Sequence, residues 1–484
     1  MRQVFQKARI LYHENPLAFI LLCGFLLRSM AAWYNYTPLG EDDYVNVIGP
    51  ALQHYQTGKP LEIIEIRLPI FPRIFYFLLL PWKLFGIENV RFLVSWGLFA
   101  VGLFSLVGVW AIYRFGQVVI PGQEKSLAWL YAAHYLLPLY GTRTFQESFT
   151  LATVPLGLYF LYKKESYPRQ FFWGGFILGI TAIIRHQAIL IPLVFAFFYL
   201  WETFAKKLDK KYLFAYLGGG FVSFMLLVML DVSEGRAPLS TPLAYFRYNF
   251  STNVEKSEYG IYPWYNYLLV MLAVFIPPFS LGLLPAFLRG VVRFKLWGIA
   301  VIFFVLIHNL IANKMERFLL PVLPFFFVLT LGGIKDYFYE KFSWRAFWMV
   351  NIVLLAPIVF SRSQLNILDA AMYLRHSPHR VVLYQIELWK QGYLGYDRKA
   401  PIYIEKDPNH LLEALKAEKE KYYHLLTLGP LKEELLSRLN QEGYPCFLEK
   451  TFKPSWQEKL VISVNPGPNR RRDTTYLYLC GMTK

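Results

Sequence analysis

Residues 16–34 read PLAFILLCGFLLRSMAAWY, with one charge at Arg28, and they lead within a few positions into 39–46, LGEDDYVN. The first stretch is long enough to cross a hydrocarbon core, which takes about 20 apolar residues. The second sets three carboxylates, Glu41, Asp42 and Asp43, at the end of that crossing. Carboxylates at a membrane surface beside apolar helices suit a general base acting on a substrate whose other end is a lipid.

Similar apolar stretches recur as far as Phe360. Their limits fall near 17–35, 69–86, 92–114, 126–141, 146–162, 171–184, 187–204, 213–230, 264–288, 296–312, 318–334 and 346–361. Composition agrees: 55% of the 484 residues are hydrophobic and 17% charged, where a soluble protein carries about a quarter charged. Mean hydropathy is +0.32. The expected fold class is a polytopic all-α membrane protein with about 11–13 transmembrane helices.

The net charge of +17 is placed where topology needs it. Basic residues gather between the apolar stretches, as in Arg2, Lys7 and Arg9, in Lys206, Lys207, Lys210 and Lys211, and in Lys335, Lys341 and Arg345. Such clusters mark cytoplasmic loops beside anionic lipid and argue against a nucleic-acid partner. With the N-terminus inside, the loops 36–68 and 231–263 and the segment 313–317 lie outside. Strict alternation would put Lys163–Lys164 and Lys206–Lys211 on opposite sides, so one span within 126–204 is expected to be broken or re-entrant. The first apolar run has no small-residue cleavage site and reads as a retained helix.

After Phe360 the character changes. β-type runs at Val381–Gln385, Pro401–Glu405, Tyr423–Leu428, Leu460–Val464 and Thr475–Cys480 surround a helical stretch, Asn409–Tyr422. This predicts a small C-terminal soluble α/β domain. The expected division is 1–361, a transmembrane domain with outer loops 36–68 and 231–263, and 362–484, an extracytoplasmic domain. Cys446 and Cys480 would pair if that region meets an oxidising compartment.

Several charges interrupt the apolar stretches: Arg143 and Glu147 in 141–147 (GTRTFQE), Arg185 in 182–188 (AIIRHQA), and Lys314, Glu316 and Arg317 in 313–318 (NKMERF). Charges at such depths are costly unless paired or set in a polar cavity. Two readings stand: Arg143 pairs with Glu147 to pin helices, or the cations hold a lipid phosphate for a reaction the carboxylates serve. His186 and His308 read as satisfied polar residues of the bundle. No metal-ligand spacing, P-loop or nucleophile elbow is present.

Taken in order, these stretches resemble glycosyltransferase family 22. These are the polyprenol-linked α-mannosyltransferases of the C-type glycosyltransferase fold, and the branch adding the third mannose of GPI anchors is nearest. Gly40-Glu41-Asp42-Asp43-Tyr44-Val45-Asn46 is similar to the family's His-Pro-Asp-Glu-x-x-Gln. Arg67-Leu68 with Pro72, Arg143-Thr144, Ile184-Arg185-His186-Gln187-Ala188, Tyr248-Asn249-Phe250, Tyr259-Gly260 with Pro263-Trp264, and Asn313-Lys314-Met315-Glu316-Arg317-Phe318 with Pro321 resemble further motifs in the family's order. The His of two motifs is absent.

The resemblance implies an inverting transfer of a mannose-type sugar from a polyprenyl-phosphate donor to a glycan or glycolipid acceptor. Asp42 and Asp43 would be catalytic. Lys314, Arg317, Arg185 and Arg143 would bind the donor phosphate, and Glu41, Asn46, Arg67, Tyr248, Asn249, Tyr259 and Trp264 the acceptor side. No cofactor or metal is required on this reading; a divalent cation held by Glu41, Asp42 and Asp43 is the alternative. Rival readings are a C-type glycosyltransferase for another sugar or a protein acceptor, and a transporter or lipid flippase, whose paired repeats the sequence does not display. The expected site is an integral membrane, bacterial plasma membrane before endoplasmic reticulum.

Overall fold

The computed structural model describes residues 10–39, 41–61, 66–163, 167–251, 262–311, 314–334, 342–374, 377–386, 402–404, 408–418, 421–464 and 473–481. Every expected apolar stretch falls on helix. Among the described residues five helices are long and apolar enough to cross a membrane: Pro16–Tyr34, Val90–Val119, His186–Phe204, Lys210–Ser233 and Glu316–Gly333. Shorter apolar helices include Ile70–Leu84, Gln146–Leu161, Pro168–Ile184, Lys295–Asn309 and Trp344–Val359. The chain is an integral membrane protein.

Two departures from straight spans have identifiable causes. Within 126–141 the helix Glu124–Ala133 stops, and Leu137–Tyr140 forms a separate turn. Side chains meet the backbone freed there: Asn351 donates to Ala133 O at 2.8 Å and accepts from Tyr135 N–H at 2.8 Å, and His134 Nδ1 accepts from Leu136 N–H at 3.3 Å. The His134 ring contacts Val274 O at 2.7 Å. This is how a broken helix is tolerated at membrane depth. The stretch 264–288, expected as one span, is instead two helices, Asn266–Val274 and Phe279–Arg293, bent by 101°. Pro277 and Pro278 lie between them, and neither can supply the N–H that continuing the helix requires.

The chain forms two units: Met1–Trp33 with Ile63–Phe71 and Trp96–Val359, and Tyr34–Glu62 with Pro72–Ser95 and Phe360–Lys484. In the first, helices pack through small residues. A Cβ on Gly175 would stand 2.1 Å from Tyr216 O, and one on Gly219 2.0 Å from Phe172 O. Helices Pro168–Ile184 and Lys210–Ser233 therefore touch backbone to backbone, the close approach that small residues permit in lipid. Ser223 Oγ seals the same seam by donating to Phe176 O at 2.7 Å. The buried Arg28 is fully used inside this unit, with Nε donating to Ser105 Oγ at 2.6 Å and Nη1 to Ala132 O at 3.0 Å. Large apolar side chains such as Phe197, Trp201 and Phe214 point outward, as a lipid-facing surface requires.

The second unit holds a five-stranded sheet made of β1 (Arg380–Tyr384), β2 (Ile402–Ile404), β3 (Tyr422–Thr427), β4 (Cys446–Phe452) and β5 (Thr475–Gly481). Their order is β2-β1-β3-β5-β4. β1 runs parallel to β2 and β3, and β5 runs antiparallel to β3 and β4. Alternation splits the core by face. Val382, Tyr384 and Leu425 meet Leu411, Leu415 and Leu439 of helices Pro408–Glu418 and Glu433–Gln441. Leu383, Leu426 and Leu477 meet Ala370 and Leu374 of helix Leu365–Leu374. Cys446 pairs with Cys480 in register, and the two form a disulfide.

One expected strand is wrong. Leu460–Val464 belongs to a helix, Trp456–Val464. Ser455 and Glu458 cap it reciprocally: Glu458 N–H donates to Ser455 Oγ at 3.3 Å, and Ser455 N–H to Glu458 Oε2 at 3.3 Å. That is a capping box, three residues apart as the motif demands. Nor was strand β4 expected from the sequence.

Candidate functional site

In the first unit the charges expected between spans meet at helix ends. Helix Pro168–Ile184 gives way at Arg185, whose backbone is extended, and the chain resumes as a 3-10 turn, His186–Ile189. Arg317 lies on another 3-10 segment, Glu316–Val322, ahead of helix Leu323–Gly333. Glu147 occupies the first turn of Gln146–Leu161, where the helix dipole favours a negative charge. Arg185 Nη2 stands 3.0 Å from Glu147 Oε1, and Arg317 Nε 4.0 Å from the same oxygen. Aromatic faces complete the enclosure. The Arg185 guanidinium lies 5.0 Å from the Phe318 ring and 5.6 Å from Tyr245, and that of Arg317 lies 4.3 Å from Phe145.

Neighbouring residues extend this cluster. Arg143, fully buried, is in the turn just before the Glu147 helix. Arg67 Nη1 donates to Gln146 Oε1 at 3.4 Å, while Arg236 donates to Arg67 O at 3.3 Å. Lys314 is buried, its ammonium donating to Ile311 O at 2.8 Å and Tyr262 O at 3.2 Å. Burial holds the Lys314 pKa below the ordinary lysine value. Two arginines thus meet one carboxylate in a water-poor setting, where charge interactions are strong.

The acidic segment belongs to the second unit. Glu41–Asp43 is helical, Tyr44–Ile48 is π-helical, and Gly49–Thr57 continues the helix. Asp42 is half-buried, and its Oδ1 accepts from the Asn46 amide at 3.1 Å. Asp43 is fully buried and accepts from Leu39 N–H at 3.3 Å. Asn46 is thus one group that orients Asp42. π-helical turns of this kind recur at functional sites.

The other expected residues are distributed unevenly. Tyr248 and Asn249 lie on helix Ser240–Ser251, where the Asn249 amide donates to Tyr245 O at 2.7 Å. Trp264 is 74% exposed and meets Tyr265 edge-on. Tyr259 and the Glu41 side chain lie outside the described residues. Sequence reasoning missed three participants. Tyr245 stands against both Arg185 and His186. Tyr140 donates to Glu316 Oε1 at 2.8 Å. Asp231 is buried where it accepts from the Thr241 N–H at 3.3 Å and from its hydroxyl. An acidic residue late in an apolar helix was the available signal for Asp231.

Comparison with known proteins converges. A family model described as the Alg9-like mannosyltransferase family matches residues 59–380. GPI alpha-1,2-mannosyltransferase 3 of Mus musculus is 24% identical over 381 residues, covering 75% of this chain and 67% of that protein. Mannosyltransferase APTG1 of Arabidopsis thaliana is 24% identical over 268 residues, which is 54% of this chain and 47% of that protein. In fold, the chain is similar to the crystal structure of ArnT from Cupriavidus metallidurans bound to undecaprenyl phosphate. The TM-score is 0.61 at 12% identity, covering 95% of this chain and 96% of that one.

Proposed function

The chain belongs to the Alg9-like mannosyltransferase family and is a membrane glycosyltransferase, and from that premise we propose the reaction its residues run. It moves a mannose-type sugar from a polyprenyl-phosphate donor to a glycan or glycolipid acceptor on the extracytoplasmic or luminal face. The observation that carries this is the buried Arg185–Glu147–Arg317 cluster at broken helix ends. It supports a site for an anion arriving from the bilayer, as a lipid phosphate does.

A β-linked donor yielding an α-mannoside requires one in-line displacement with inversion. The acceptor hydroxyl oxygen bonds to the anomeric carbon while Asp42 takes its proton. The bond from that carbon to the phosphate oxygen breaks, and the lipid phosphate leaves with the electron pair. Charge builds on the leaving phosphate, so Arg185 and Arg317, with Arg143 and Lys314, lower the barrier by holding it. The leaving group is stable as an anion and needs no general acid. No cofactor enters the displacement.

The Cys446–Cys480 disulfide supports placing the C-terminal region outside the cytoplasm. The relatives named above are eukaryotic, which shifts the expected membrane from bacterial plasma membrane toward the endoplasmic reticulum. The test is transfer from radiolabelled polyprenyl-phosphate mannose by purified protein, with a membrane-lipid extract as acceptor. Labelled glycolipid formed by wild type supports the reading; its absence with this donor, beside transfer from another sugar donor, overturns the choice of sugar.

A further inference from the structure

The second unit marks the membrane border with its own residues. Helix Pro16–Tyr34 ends at Tyr34, whose ring meets that of Phe360 edge-on at 5.0 Å. Phe360 directly follows the apolar helix that ends at Val359. Asn35 Nδ2 donates to Ser361 Oγ at 3.1 Å, and the Arg362 guanidinium lies 4.3 Å over the Tyr34 ring. Two apolar stretches thus leave the bilayer at one level, beside the tyrosine and the cation that a headgroup layer favours. Gln364 follows four residues after Phe360, and its N–H donates to Glu458 Oε1. Glu458 is buried in helix Trp456–Val464, where its other carboxylate oxygen caps the helix through Ser455 N–H. One carboxylate therefore fastens that helix to the chain at the membrane border.

The outward side of this helix is apolar. Trp456 is 63% exposed and Leu460 58%, with Val461 exposed beside them. Trp456 and Leu460 are four residues apart and share a face, while Glu458, midway between them, takes the other. Over 453–464 Glu458 is the only carboxylate, and Lys453 and Lys459 are exposed. Large apolar side chains gathered on a surface and rimmed by polar ones mark a contact site. We propose that helix Trp456–Val464 lies in the bilayer surface with Trp456 and Leu460 set among lipid chains. The partner of the C-terminal domain is then the membrane that the chain itself spans. An indole and a leucine on one side with lysines at the flank is the composition that settles at the boundary of lipid heads and chains. The lysine stems can lie along that boundary while their ammonium groups reach lipid phosphates. A helix of nine residues would hold to lipid weakly alone, but the Glu458 contact with Gln364 already keeps it at the right level. The inference is independent of which sugar is moved and of what receives it.

The experiment uses the full chain in phospholipid nanodiscs, with Cys23→Ser removing the free thiol. A nitroxide spin label is attached at Leu460→Cys and, in a second variant, at Trp456→Cys. Both positions are exposed, so neither label displaces core packing. The reference label is at Ser437→Cys, exposed on helix Glu433–Gln441. That helix packs on the sheet face opposite helix Leu365–Leu374, which follows Gln364. Relaxation of the labels at Trp456→Cys and Leu460→Cys should be strong with oxygen, which concentrates in lipid, and weak with a water-soluble nickel complex. The ratio should place both about 5–10 Å into the boundary of heads and chains, with the reference label relaxed mainly by nickel. Labels on the helix as open to nickel as the reference would put the helix in water and overturn the proposal. Shielding from both reagents would also overturn it, by assigning the face to a protein contact.

Discussion

Arg185 Nη2 lies 3.0 Å from Glu147 Oε1 with both side chains almost sealed from solvent, and Arg317 reaches the same oxygen from a third helix end. On the proposed reading this cluster holds the donor phosphate, and its strength there depends on the guanidinium's planar fork. Arg185→Gln should lower kcat/KM for the polyprenyl-phosphate donor by about a hundredfold or more, the scale of losing one transition-state contact. Arg185→Lys should not restore it, because a compact ammonium lacks the planar fork with which a guanidinium can face carboxylate and phosphate along two edges. Initial rates at varied donor concentration check both. Near-wild-type kinetics in the glutamine variant would assign the pair to holding helices together.

Glu147 has the opposite signature. Removing the charge of Glu147 leaves two arginines buried without their shared carboxylate, a loss of about 3–5 kcal/mol in comparable pairs. Glu147→Gln is expected to lower the thermal midpoint in detergent by several degrees, followed by size-exclusion recovery after heating, whether or not donor is present.

Asp42 and Asn46 are one helical turn apart, joined by the 3.1 Å hydrogen bond from the amide. As the proposed base, Asp42 changed to Asn should lose at least about a hundredfold in kcat with the fold intact. Asn46→Ala removes only the orienting contact, a hydrogen bond to a charged group, and should lose about tenfold. Asp43 accepts from Leu39 N–H, a contact an amide oxygen can keep, so Asp43→Asn reads the effect of its charge. Equal losses for Asp42 and Asn46 variants would put the base elsewhere.

Much of this was legible in the residues. Arg143, Glu147, Arg185, Lys314 and Arg317 stand out because charge inside apolar sequence is rare and costly. Their partners were not legible, since Glu147 turns to residues on other helices and not to Arg143's turn alone. The run Leu460–Val464 is too short for periodicity to separate helix from strand, and the Ser455–Glu458 capping box decides it. Strand β4 escaped because Cys446–Phe452 is an edge strand with five consecutive exposed side chains, Phe447 to Thr451, so no apolar alternation marks it. The bend in 264–288 was announced by Pro277-Pro278, a signal outweighed by the apolar residues around it.

Lys314 differs from the arginines in that it can lose its charge as pH rises. Burial lowers its pKa from the ordinary lysine value, so the charged form is lost at a lower pH than for a free lysine. Donor affinity should therefore decline on the alkaline side, and Lys314→Arg should abolish that decline because arginine stays protonated. Donor KM measured across alkaline pH tests this; an unchanged limb in the arginine variant would assign the titration to another group.

Metal dependence is separable from all of these. Leaving-group charge is handled by cations of the chain on the proposed mechanism, so transfer after exhaustive EDTA treatment should stay within about twofold of the untreated rate. Loss on treatment with recovery on adding magnesium would instead bring in a divalent cation at the Glu41–Asp43 segment, through hard oxygen ligands.

The C-terminal sheet carries its own pH sensitivity. His424 on β3 has Nδ1 2.6 Å from Ser377 Oγ and Nε2 2.9 Å from Glu449 Oε2, with the His379 ring 5.1 Å away. Glu449 also accepts from the Tyr373 hydroxyl at 2.6 Å, and Lys450 lies over the Tyr373 ring. Burial lowers the His424 pKa, and the neighbouring Glu449 only partly offsets it. The unfolded chain then binds a proton more readily than the folded one, so stability rises with pH across this window. It is fully present above the unfolded histidine value of about 6.5 and is lost as pH falls toward the lower folded value. Limited proteolysis of the whole protein should cut the region beyond residue 377 faster at acidic than at neutral pH. His424→Gln, which cannot take up a proton, should flatten that difference; a variant as acid-sensitive as wild type would move the effect to other groups.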